Sequence, residues 1–67
     1  MDAAKLRYMA EQIARNLAIA DEAEAIAATA RHIRDFWDPR MQTAILDEDR
    51  EGLSPVLAAA LDRLAAS

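Results

Sequence analysis

The chain has no cysteine, so neither a disulfide staple nor any thiolate-held metal or cluster is open to it. Its single glycine cannot build a glycine-rich phosphate loop. One glycine and two prolines are also too little turn chemistry for a protein of many short strands. There is one histidine, and Tyr8, Phe36 and Trp37 are the only aromatic rings of their kinds. An excess of basic charge is missing as well: eight Lys and Arg stand against twelve Asp and Glu, for a net charge of −4. That balance lacks the electrostatic footprint of a nucleic-acid binder. No apolar run approaches the roughly 18 residues that a membrane span requires. With no basic-then-apolar stretch at the start, nothing reads as an export signal, and the cytoplasm is the expected compartment.

What is present is alanine, 17 of the 36 apolar residues. Alanine favours the helix more than any other residue but buries little surface. Strong helicity over a thin core follows. A chain of 67 residues buries only about 60% of its unfolded surface, and without covalent staples such domains lean on a partner chain or on self-association.

Periodicity places four helices in one domain, at about 3–18, 22–37, 39–50 and 55–65, and the fold class is all-α: a small bundle of three to four short antiparallel helices. Asp2 caps the first helix, whose face is Leu6, Met9, Ile13 and Leu17, widened by Ala10. Asp21 with Glu24 three residues on is a capping-box pattern that opens the second helix. Ala23, Ile26, Ala30, Ile33 and Trp37 form its seam. Asp38-Pro39 and Ser54-Pro55 each supply a cap followed by a proline suited to the first helical position. Met41, Ala44 and Ile45 face inward from the third helix, with Gly52 as its terminator after the acidic run Asp47–Glu51, whose charge is unfavourable at a helix C-terminus. Leu57, Ala60, Leu61 and Leu64 face inward from the fourth.

Residues off these stripes are candidates for a partner surface. Tyr8, Gln12, Arg15 and Ile19 form a second stripe on the first helix, and Ala25, Thr29, His32 and Phe36 do so on the second, with Leu46 pointing away from the third. The alternative is that Tyr8 and Phe36 widen the core face, since apolar faces of about 100° or more are common. The segment His32–Met41 gathers two aromatics, the histidine, Arg34 and Arg40 at one helix-to-helix corner. Arg and Trp are frequent interface anchors, so Tyr8, His32, Arg34, Phe36, Trp37 and Arg40 form the candidate partner-binding set. The competing reading is a corner brace, in which Trp37 fills the core and Asp35 or Asp38 pairs with Arg34 or Arg40.

Catalytic constellations do not assemble. His32 and Asp35 share a helix face, but a metal site needs further ligands and none stands at matching spacing. Ser54 precedes a proline and reads as a cap, and the carboxylates of 47–51 lie on a solvated terminus without the burial that tunes a general acid. No catalytic, cofactor-binding or metal residue is assigned.

The string His32-Ile33-Arg34-Asp35-Phe36-Trp37-Asp38-Pro39-Arg40-Met41 resembles the motif H-I-[RK]-x-F-W-[DT]-P-R-M of the delta subunit of soluble NAD-dependent formate dehydrogenases. Lys5-Leu6-x-x-Met9-Ala10-x-Gln12-Ile13-Ala14 is similar to the start of that family. The likeness extends over nearly the whole chain in length and helix order, is sharpest in those ten residues, and carries nothing onto 53–67. It implies a small, non-catalytic accessory chain of a cytoplasmic complex that oxidises formate to carbon dioxide and reduces NAD. It implies that the alpha subunit is the partner, stabilised or assembled by this chain, with help in cofactor insertion. The complex uses a molybdenum or tungsten pterin, iron–sulfur clusters, FMN and NAD, none of them bound by the delta chain. The reading from a different class is a free-standing helical homodimer, an adaptor or antitoxin-like regulator, and in isolation self-association is open to either.

Overall fold

The computed structural model describes residues 2–18 and 21–66. Its regular elements there are four helices: α1 Ala3–Leu17, α2 Glu22–Phe36, α3 Pro39–Leu46 and α4 Pro55–Ala66. Among the described residues there is no strand.

Each helix starts where a side-chain oxygen can replace a missing intrahelical acceptor. Asp2 accepts from the Ala4 amide at 3.0 Å, Asp21 from Glu24 at 2.8 Å and Asp38 from Met41 at 2.9 Å. The Ser54 hydroxyl accepts from Leu57 at 3.3 Å. Caps of this kind contribute about 1 kcal/mol each, so a chain of short helices depends on them heavily. Pro39 occupies the first turn of α3, where its missing N–H costs nothing.

The core is one cluster drawn from all four helices. Leu6, Ala10 and Ala14 come from α1, Ile33 from α2 and Trp37 from just past its end, Ile45 from α3, and Leu57 and Leu61 from α4. Met9, Ile13, Met41, Ala44, Leu46, Leu53, Val56 and Leu64 pack around it. Full burial of each Leu or Ile contributes about 1.5–3 kcal/mol, so these few large side chains carry most of the driving force. The deepest line of α1 is Leu6–Ala10–Ala14, at spacings of four, and Met9 and Ile13 flank it.

Several details depart from the sequence reading, among them Ala23, expected in the α2 seam but exposed in the first turn of the helix, ahead of the stretch that is covered. Ala25 and Thr29, expected off the core stripe, are buried. Helix α2 packs against both α1 and α4, so a wider arc of its surface is covered than a single seam would need. Leu46, expected to point outward, packs against the core. The third helix stops at Leu46 rather than near residue 50, and Gly52, at φ 84°, sits within the connecting loop instead of terminating that helix.

The reason for the early stop lies in the acidic run. A helix continued through Asp47–Glu51 would pile negative side chains on the negative end of its dipole. The chain instead leaves the helix, and two arginines take its carbonyls. Arg50 donates to the carbonyl oxygens of Leu46 and Glu48 at 3.1 and 2.7 Å. Arg7 reaches across from α1 to those of Asp49 and Glu51, each at 2.8 Å. The loop opening α4 is tied to α1 a second time: the Glu11 carboxylate accepts from the Ser54 amide at 2.9 Å and from its hydroxyl at 2.7 Å.

Candidate functional site

The corner between α2 and α3 is set by Trp37 and Asp38. Trp37 leaves the helix in extended conformation with a side chain only 6% exposed, and Asp38 is extended as well, as the residue before a proline must be. Gln42, one turn into α3, donates its side-chain amide to the carbonyls of Trp37 at 2.7 Å and Arg34 at 3.1 Å. These are carbonyls that the end of α2 leaves open, so the corner is closed by an amide bridge. Ion pairing plays a small part there. Arg34 meets Asp35 at 3.2 Å with both side chains largely in solvent, a geometry that contributes well under about 1 kcal/mol. Asp38 serves as the α3 cap, and Arg40 makes no ion pair among the described residues.

Next to the buried Trp37, Phe36 is 75% exposed. One residue of advance turns a helical side chain by about 100°, which separates the two rings onto different faces. Phe36 lies against His32, four residues earlier, with ring centroids 4.8 Å apart and planes inclined by 37°. A shallow groove runs beside them, lined by Leu17 of α1 and by Ala28, Arg31, His32, Asp35 and Phe36 of α2. Tyr8, 65% exposed, is the second large apolar side chain left in solvent, on α1. The α1 residue that lines the groove is Leu17, so the structure does not join Tyr8 to the His32–Phe36 pair. Ile19 lies outside the described residues. Arg40 is exposed over an open recess formed with Pro39, Thr43 and Ala44.

On the other flank of α2 a cleft of about 230 Å³ is lined by Ala27, Ala30, Arg31 and Arg34 with Arg63 and Leu64 of α4. Arg34 therefore faces α4 rather than Phe36. Arg31 lines both clefts and forms the ridge between them. Sequence reading missed Arg31 and Arg63. The i, i+3 spacing of Arg31 and Arg34 was visible, but the docking of α4 that brings Arg63 beside them is a tertiary fact.

The sequence profile of the NADH-dependent formate dehydrogenase delta subunit, FdsD, matches residues 5–61. The chain belongs to this family. The match takes in α2, α3, nearly all of α1 and the first half of α4, and with them the corner, the His32–Phe36 groove and the loop held by Arg7, while Arg63 and Leu64 of the α2/α4 cleft lie beyond it. No curated protein and no solved structure matches the chain significantly. By its name the FdsD family is a subunit of formate dehydrogenase. No helix among the described residues is long and apolar enough to cross a membrane.

Proposed function

We propose that this FdsD-family chain is a non-catalytic accessory subunit that docks on the catalytic alpha subunit of a cytoplasmic, NAD-dependent formate dehydrogenase and stabilises it during assembly, including cofactor insertion. The observation that carries the reading is Phe36, a large apolar ring three-quarters in solvent beside a ring partner and one residue from the core tryptophan. Isolated exposed apolar residues are ordinary, but a rigidly based aromatic at a braced corner is the form an interface anchor takes. Phe36 and His32 supply the central contact, Arg34, Arg40 and Tyr8 the surrounding ones, and Trp37 holds the corner rigid from beneath.

The groups used by such a complex do not suit this chain. An iron–sulfur cluster needs thiolates and there is no cysteine. Among the described residues no three potential ligands converge on one point. On this reading the side chains bind and position another protein, and formate oxidation is left to the catalytic subunit.

Co-expression of the chain with the catalytic subunits, followed by affinity capture, tests the reading. Phe36→Ala is expected to keep the wild-type circular dichroism spectrum while lowering the captured catalytic subunit and its formate-dependent NAD reduction. Unchanged capture with Phe36→Ala and with Tyr8→Ala would refute docking through these anchors.

A further inference from the structure

We infer that the α2/α4 cleft is a docking site for an acidic segment of a protein partner, recognised by Arg31, Arg34 and Arg63. The inference rests on the proposed docking role and adds the chemistry of the partner surface. The chain is acidic overall, yet three of its eight basic side chains line this one cleft. The other cations are dispersed: Arg7 and Arg50 hold the 47–53 loop, Arg40 lies by α3, and Lys5 and Arg15 lie on α1. The nearby carboxylates offset one of the three arginines and leave two unpaired among the described residues. Asp35 pairs with Arg34 alone, and Asp62, the neighbour of Arg63, is turned to Arg50 at 3.0 Å. Arg31 and Arg63 make no ion pair among the described residues.

The backbone decides between a free small anion and a protein segment. Compact anion sites are built from backbone N–H groups at helix N-termini. This cleft is walled by residues 27–34 of α2 and 63–64 near the end of α4, where amide groups are engaged inside their helices. The only free donors are guanidinium forks on long side chains. Such forks fit carboxylates in pairs and suit several acids spaced along a chain rather than one enclosed ion. Ala27, Ala30 and Leu64 give the floor an apolar, low-relief surface over which a segment can lie. The His32–Phe36 groove lies on the other side of the Arg31 ridge, so one partner crossing α2 meets an apolar anchor and a basic strip together.

Fluorescence anisotropy with the full chain and a labelled oligo-glutamate peptide tests the site directly. Binding should weaken as salt rises and fall about tenfold or more in Arg31→Gln/Arg63→Gln, whereas Lys5→Gln should leave it unchanged. Equal binding by the double variant overturns the inference, as does equally effective competition by inorganic phosphate, a single-stranded oligonucleotide or anionic lipid vesicles. Capture of the catalytic subunit separates the two ideas. If Phe36→Ala loses the complex and the double arginine variant keeps it, the cleft plays no part and the docking corner stands. If Tyr8→Ala and all of these variants keep it, the docking reading itself fails.

Discussion

Arg7 and Glu51 meet at 2.8 Å across 44 residues of sequence, guanidinium to backbone carbonyl, and this contact fixes where the third helix gives way to loop. The same side chain also holds the Asp49 carbonyl and lies 3.6 Å from the Glu48 carboxylate. It thereby gathers a segment whose own charges would push it apart.

Arg7→Lys should show how far geometry rather than charge matters. A lysine keeps the positive charge but lacks the planar fork that spans two carbonyls. The expected loss is about 1–2 kcal/mol in urea unfolding, with faster amide exchange confined to residues 48–53. Exchange that speeds up equally throughout α1 would contradict a local clamp.

Gly52 gives an independent handle on that loop. Its φ of 84° is costly for a residue with a side chain, and an added Cβ would lie 3.3 Å from the Arg7 guanidinium. Gly52→Ala should cost about 1–2 kcal/mol. In the Arg7→Lys background the part due to crowding should shrink, and a double-mutant cycle measures that coupling.

Trp37→Ala and Phe36→Ala should separate cleanly in stability. Emptying the site of a ring that is 6% exposed costs about 3–5 kcal/mol, enough to unfold much of a domain this small. Removing a ring that is 75% exposed should shift thermal unfolding very little. Similar melting shifts for the two variants would mean the faces are misassigned.

Thr29 is a stabilising target. It is fully buried, and its hydroxyl has no hydrogen-bond partner among the described residues. Thr29→Val is nearly the same shape and removes the desolvated group, so a gain of about 1 kcal/mol is expected. A loss on calorimetry would show that the hydroxyl is satisfied in solution.

Glu11→Ala should loosen the start of α4, since it removes the acceptor for both polar groups of Ser54. The expected cost is about 1–2 kcal/mol, with Glu11→Gln retaining part of it through its remaining carbonyl oxygen. Backbone exchange at Ser54 reports the change.

The sequence made the helix starts readable because a cap and its acceptor lie within three residues of each other. Asp2, Asp21, Asp38 and Ser54 all cap in the structure. The opposite facings of Phe36 and Trp37 were readable for the same local reason, a fixed turn per residue. What remained hidden needed partners far along the chain. Arg7 is an ordinary surface residue until residues 49–51 come beside it, and Glu11 until Ser54 does. Ala25 and Thr29 looked peripheral because a single seam counts one neighbouring helix, whereas α2 has two. The arginine cleft stayed hidden because Arg63 joins Arg31 and Arg34 only once α4 is docked.

The clamp by Arg7 has a consequence for how the chain is made. During synthesis α1 finds the acceptors for Arg7 and the donors for Glu11 only in residues 49–54, and the core it shares with Leu57 and Leu61 arrives later still. Synthesis at about 5–20 residues per second leaves α1 waiting for several seconds without those companions. Closure between segments so far apart in the chain is sensitive to truncation. The fold is consequently completed only once α4 is available, and a chain cut short before α4 would leave Leu6, Ala10 and Ala14 uncovered rather than form a smaller version of the same bundle.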